Sequence, residues 1–197
     1  MKVSIIMAVY NQPELVVRAL DSVPRRNDIE LIIIDDGSTD TSYEVLKWYK
    51  ENNPDLNIIL IHQENHGLGY CKNIGYSIAT GEYIYELDND DYLYTDVFIK
   101  ALDELDGTDM IYVSCEVNDG RIFWVDEKSK NGYVAGFTRF IRREFLGDNR
   151  TREDIWNEDL YFNNLLQALP HTEKFIKLVP YHYNFPREGS MYWEATH

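Results

Sequence analysis

Apolar residues recur along the first ninety positions with two alternating periods. Residues 3–9, 30–35, 57–62 and 83–87 are short runs rich in Val, Ile, Leu and Tyr, the first two almost continuously apolar. Such runs suit strands buried on both faces of a parallel sheet. Between them, 13–23, 41–52 and 69–80 carry apolar residues three and four positions apart, the spacing of one helix face. Pro13 suits a first helical turn, with Asn11 as a cap ahead of it. Strand–helix alternation of this length predicts right-handed βαβ units. The expected architecture is an α/β fold with a mainly parallel central sheet and helices on both faces.

After Asp91 the pattern changes. A helix near 95–105 and a strand near 110–115 are expected, then a short apolar run at 121–125 and a glycine-containing loop from Gly132 to Gly136. Two helical stretches are expected at 137–145 and 158–169, followed by one strand over 175–183 and a loop at 186–190. No repeat, low-complexity tract or linker interrupts the chain, so residues 1–197 read as a single domain.

Composition narrows the classes. A 44% hydrophobic, 27% charged chain of 197 residues is long enough to bury its own core. Thirty-four acidic against 19 basic residues give a formal charge of −15, which argues against a nucleic-acid surface and against docking on anionic membrane. Two cysteines, Cys71 and Cys115, provide neither zinc spacing nor a disulfide framework. No apolar run reaches the ~18 residues of a membrane span, and no signal-peptide pattern precedes the first strand. A cytoplasmic setting is expected, with the Asn149 sequon incidental.

In open α/β sheets, ligands gather beyond the carboxyl ends of the strands. Three polar clusters fall at such ends: Tyr10-Asn11, Asp35-Asp36-Gly37-Ser38 and Asp88-Asn89-Asp90-Asp91. Each alone could be a turn; three at one edge point to a site. Familiar alternatives fail. Gly67-Leu68-Gly69 begins a dinucleotide fingerprint but places Lys72 where its third glycine belongs, and an EF-hand from Asp88 would need glycine at Leu93 and glutamate at Ile99. No Walker A, G-x-S-x-G or H-E-x-x-H pattern occurs. Asp88 and Asp90, one residue apart after an apolar strand, repel each other unless a cation intervenes. A hard divalent ion, Mg²⁺ or Mn²⁺, completed by substrate phosphate oxygens, resolves that repulsion.

With these blocks in order, the chain resembles the family 2 glycosyltransferases, which have the GT-A fold. The resemblance rests on VSIIMAVYN (3–11), ELIIIDDGSTD (30–40), NHGLGYCKNIGYSIATG (65–81) and YIYELDNDD (83–91), continued by Asn157-Glu158-Asp159 and Arg187-Glu188-Gly189-Ser190. It implies a nucleotide-binding half, 1–91, and an acceptor-side half with a tail, 92–197. It implies that Tyr10 packs on a uracil ring beside a wall from Ala8 to Asn11, and that Asp36 accepts the ring N–H. Lys72 and Asn73 would lie near the base or phosphates, although lysine weakens a two-pronged contact. Asp88 and Asn89 would lie near the ribose or metal, Asp90 would ligate the metal and His182 could join it. Arg187 would reach a phosphate, and Asp159 would be the catalytic base. Asn184 and Pro186 depart from the more basic tail expected there.

The resemblance implies inverting, metal-dependent transfer from a nucleotide-diphosphate sugar, a UDP-sugar, to the hydroxyl of a glycan or other acceptor. A loop after Gly132 or the tail at 187–190 could close over the donor. Because the chain ends soon after that tail, it is also expected to serve as a module of a larger glycan-building protein. Two other classes remain at this stage. A non-catalytic nucleotide-sugar-binding module would keep the metal site without turnover. A phospho-acceptor signalling domain would need its acidic pair after the first strand, where Tyr10-Asn11 stands.

Overall fold

The computed structural model describes residues 2–130, 135–155 and 157–186. The first half runs β1 (Val3–Val9), α1 (Val16–Asp21), β2 (Ile29–Asp35), α2 (Ser42–Asn52), β3 (Ile58–His62), α3 (Leu68–Ile78) and β4 (Tyr83–Glu86). The second half runs β5 (Tyr92–Leu93), α4 (Thr95–Asp103), β6 (Met110–Tyr112), β7 (Cys115–Val117) and β8 (Ile122–Phe123). A 3-10 turn at Gly136–Thr138 leads into β9 (Arg139–Arg142), α5 (Arg143–Leu146), α6 (Glu158–Gln167), β10 (Glu173–Phe175) and β11 (Tyr181–Tyr183).

Seven strands form the main sheet in the order β10-β6-β9-β4-β1-β2-β3, and four form a smaller sheet, β5-β11-β7-β8. The pairs β1–β2, β1–β4, β2–β3 and β6–β10 are parallel, whereas β9 is antiparallel to both its neighbours. Alternation along the strands sorts the core into two layers. Val3, Ile5, Met7 and Val9 of β1 pack with Leu20, Leu46, Phe98 and Leu102 from α1, α2 and α4. Ile6 of β1 and Ile32 and Ile34 of β2 pack with Tyr76, Leu146, Phe162 and Leu166 from α3, α5 and α6. Helices therefore cover both faces, and the apolar runs at 3–9 and 30–35 are continuous because neither face meets water.

The sequence reading needs correction in the second half. The helix expected at 137–145 is β9 followed by the single turn of α5. Phe140 sits in one core layer and Ile141 in the other, the period of two that a strand requires and a helix does not. The single strand expected at 175–183 is two strands, β10 in the main sheet and β11 in the smaller one. They are separated by Ile176–Pro180, where Pro180 lacks the N–H a continuous ladder needs. Helix α1 begins at Val16, after Pro13 rather than on it. The Gly132 loop and Arg187 to Ser190 lie outside the described residues, apart from Ala135 and Gly136. Among the described residues, no helix is long and apolar enough to cross a membrane.

Candidate active site

Strands β1, β2 and β4 are parallel neighbours, so their carboxyl ends open on one edge. The register pairs Val9 with Asp35 and Ile6 with Glu86. Beyond β1, Tyr10 is 46% exposed, a large aromatic face left open to solvent. Asn11 adopts φ 52°, a left-handed conformation that asparagine tolerates better than most residues. Its N–H donates to Ser38 Oγ at 3.0 Å and its Oδ1 accepts from the Thr39 N–H at 2.8 Å, tying the β1 and β2 loops together.

Asp36 is buried, and its carboxylate collects donors from the chain itself. These are Gln63 Nε2 at 2.8 Å, the His66 N–H at 2.9 Å and the Gly67 N–H at 2.8 Å. Burial alone would raise its pKa, but these donors hold it below the usual carboxylate range. Asp36 thus anchors the 63–67 loop that launches α3. Gly67 at φ 92° turns the chain there, in a conformation a Cβ would strain. The neighbouring Asp35 is fully buried and bonds His62 Nδ1 at 2.6 Å.

After β4 the turn 88–91 is tied down on three sides. Asn89 Nδ2 donates to the Ala8 carbonyl at 2.7 Å. The Arg18 guanidinium donates to the Asp90 carbonyl at 2.7 Å, with its plane over the Tyr92 ring. The Tyr181 hydroxyl donates to Asp91 Oδ2 at 2.5 Å and accepts the Asp88 N–H at 3.2 Å, while the Asn184 N–H meets Asp91 Oδ1 at 2.7 Å. Burial, reinforced by Asp90, pushes Asp91 up to about 8 against the pull of Tyr181, Asn184 and Arg18. Burial, and then Asp91, Asp90 and Asp159, push Asp88 well above the carboxylate range, with Lys72 opposing.

On the other face, Lys72 and Asn73 of α3 point into the protein. Asn73 bridges the Thr151 backbone at 3.0 Å in both directions and reaches Glu153 at 2.8 Å. Lys72, only 4% exposed, meets Glu86 at 2.9 Å, Glu158 at 3.0 Å and Asp159 at 2.6 Å. Glu158 and Asp159 occupy the first turn of α6, where the helix dipole favours carboxylates. Burial works against ionisation of Asp159, but Lys72 first, then Arg139 and the Gly136 N–H, hold its pKa below normal. Glu158 moves the other way, raised by burial and by Asp159. The pKa values of Asp159 and Asp88 are thus pushed in opposite directions, Asp159 down by Lys72 and Asp88 up by burial.

His182 lies in β11 with its ring stacked on Tyr92, centroids 4.4 Å apart. Its Nδ1 is 3.1 Å from the Tyr94 hydroxyl and its Nε2 3.0 Å from Asn118 Oδ1. Both nitrogens face protein partners, which leaves neither for a metal in this arrangement. Among the described residues, no three or more His, Cys, Asp or Glu side chains are grouped to hold a metal ion by themselves. Asp88 and Asp90 nonetheless offer hard oxygens, and burial first, then the neighbouring carboxylates, raise the proton affinity of Asp88. A Mg²⁺-type site built on one or two carboxylates and completed by substrate phosphates fits that donor set.

Three contributors escaped the sequence reading. Glu86 had a signal, a charge inside an apolar strand. Gly136 and Tyr181 had none, since their roles depend on segments distant in the chain.

The profile of the family described as Glycosyl transferase family 2 matches residues 4–168. The chain belongs to that family. Glycosyltransferase GlyG of Streptococcus pneumoniae is 30% identical over 189 residues, covering 89% of this chain and 56% of GlyG. The crystal structure of S. aureus TarS 1-349 with UDP-GlcNAc superposes with a TM-score of 0.82 over 97% of this chain and 60% of that one, at 22% identity. A mannosyltransferase from Pyrobaculum calidifontis, solved with GDP-Man and Mn²⁺, superposes with a TM-score of 0.77 over 98% of this chain and 59% of that one, at 20% identity. The fold is GT-A. The chain spans little more than half the length of these relatives.

Proposed function

We propose that this domain transfers a sugar, with inversion, from a UDP-sugar to an acceptor hydroxyl in glycan synthesis. The observation that carries the reading is Asp159. It is a carboxylate held ionised at a helix start, within electrostatic reach of the acidic turn at the carboxyl edge of the sheet. One of its oxygens is engaged by Lys72, while among the described residues the hydrogen bond to Oδ2 is the long one from the Gly136 N–H, 3.4 Å away. Oδ2 is therefore the oxygen that takes the acceptor proton, a general-base contribution of ~10²–10⁴-fold.

On the donor side, exposed Tyr10 presents a stacking face for the nucleobase, and Asp36 fixes the loops around it. Ala8, Asn11 and Asn89 form the polar frame that holds these loops in register, while Asn73 ties α3 to the backbone at Thr151. Arg187, outside the described residues, is kept as the phosphate-side candidate. Asp88 and Asp90 would hold Mg²⁺ or Mn²⁺, which supplies charge neutralisation for the departing diphosphate. Tests of similar chemistry have precedent in the fold: TarS is solved with UDP-GlcNAc and the mannosyltransferase with GDP-Man and Mn²⁺.

A binding module without turnover is the competing reading, and Asp159→Asn decides between them. Asparagine keeps the shape but cannot accept a proton at neutral pH. Affinity for UDP with Mn²⁺ should stay within about threefold, under ~1 kcal/mol, while transfer or donor hydrolysis falls at least ~10²-fold. A variant that turns over donor at the wild-type rate would refute the assignment.

A further inference from the structure

Lys72 is the most heavily committed cation in the described chain. An ammonium has three N–H donors, and here three carboxylates stand within 3.0 Å of it. They arrive from two directions: Glu86 from β4, Glu158 and Asp159 from the start of α6. Glu86 is itself fixed, because the Tyr76 hydroxyl donates to its other oxygen at 2.6 Å. Gly136 closes the cluster from the loop side, where any Cβ would collide with the Glu86 carboxylate. The tetrahedral donors of a lysine suit separate acceptors of this kind better than the planar fork of an arginine. With its donors spent inside the protein, Lys72 has nothing left to offer a nucleobase or a phosphate.

We propose that Lys72 is a positioning residue for sugar transfer: it pins Oδ1 of Asp159 and leaves Oδ2 as the proton-accepting oxygen, and it does not touch the donor nucleotide. The proposal rests on the base assignment of Asp159 made above. A buried cation facing several carboxylates costs desolvation energy that only their combined attraction offsets. Such an arrangement is expected where the orientation of one carboxylate matters. Without the ammonium, Asp159 keeps, among the described residues, the long contact to the Gly136 N–H and the field of Arg139, and can rotate away from the acceptor.

The test is Lys72→Met, which keeps the length of the side chain and removes the charge. UDP release from UDP-glucose and UDP-GlcNAc with Mn²⁺ is measured alongside calorimetric affinity for UDP and GDP with Mn²⁺. The expected result is a kcat lowered about 30-fold or more with nucleotide affinity within about threefold of wild type, the split that marks an interaction made in the transition state. Because three carboxylates deprived of their shared cation could unfold the variant, Lys72→Met/Glu86→Gln, which relieves the repulsion, is measured in parallel with the same expectation. In an Asp159→Asn background, Lys72→Met should add less than about threefold further loss, since it acts through Asp159. A tenfold loss of UDP or GDP affinity with kcat retained would overturn the proposal and return Lys72 to the nucleotide. If Asp159→Asn stops turnover while Lys72→Met does not, the positioning role alone fails. If Asp159→Asn leaves turnover intact, the base assignment fails and this role with it.

Discussion

Gly136 shows how narrowly single residues constrain the site. Its Cα rests against the Glu86 carboxylate, which Lys72 and Tyr76 hold in place, so the carboxylate has nowhere to retreat from a methyl group. Gly136→Ala should therefore destabilise the protein by about 1–3 kcal/mol, the usual cost of overpacking a filled position, and urea midpoints would check it. A variant as stable as wild type would mean that the contact relaxes freely. At this scale the sequence carried part of the site. Asp88, Asp90 and Asp159 stood out as candidates through their place in the family-like blocks, since carboxylates in a turn or at a helix start also have ordinary structural reasons to be there. Lys72 did not declare its role. A lysine on an amphipathic helix looks the same in one dimension whether it faces water or three carboxylates.

Among the elements, β9 and its surroundings depend on Asp109 at the start of β6. Its carboxylate accepts Arg142 Nε at 3.0 Å and Nη2 at 2.6 Å, and from Thr172 the N–H at 2.9 Å and the hydroxyl at 2.8 Å. One side chain thus ties β6 to the end of β9 and to the turn before β10. Asp109→Asn should cost about 1.5–3 kcal/mol, the range for hydrogen bonds to a charged group. Burial would raise the pKa of Asp109, but Thr172 and Arg142 hold it below the ordinary carboxylate value. The folded state therefore binds the proton less well than the unfolded chain. The stabilisation is fully present above about pH 4, near the ordinary Asp pKa, and is lost as pH falls through the folded value. The difference in unfolding free energy between wild type and Asp109→Asn should be constant near pH 7 and narrow as the pH is lowered below about 4. Parallel curves would show that Asp109 is not the group responsible. The same region explains where pattern reading stopped. The βαβ half was legible because neighbours in sequence are neighbours in space. Strand β9 was read as a helix because Phe137, Ile141 and Phe145 lie four apart, while the partners that make it a strand lie some thirty and sixty residues upstream. The smaller sheet escaped for a similar reason, its strands being only two or three residues long.

For the whole molecule, a formal charge of −15 and an acidic turn at the sheet edge set a condition on any diphosphate ligand. Negative phosphates are repelled by an acidic chain of this net charge unless a cation stands between them and the turn, and a cation there would also draw Asp88 into its ionised form. UDP should accordingly raise the melting temperature only when Mn²⁺ or Mg²⁺ is present, with about 2.7 kcal/mol of stabilisation expected at a hundredfold excess over Kd. Asp90→Ala should abolish that metal-dependent gain while leaving the unliganded melting temperature near wild type. A gain that persists in the variant and still needs Mn²⁺ would exclude Asp90 as the essential ligand.

The position of β9 between β4 and β6 also sets an order of assembly. Strands β1 to β4 can zip together as each leaves the ribosome, because every one finds its partner already made. Strand β6 emerges with no berth. It must wait until residues 139–142 arrive and insert beside β4, after which β10 can add to it. Such long-range closure is the slow kind. Throughout that interval the exposed margin of β4 is a bare hydrogen-bonding edge. A nascent chain that stalls before β9 would therefore be half a sheet with an adhesive seam, and β9 is the strand that seals it.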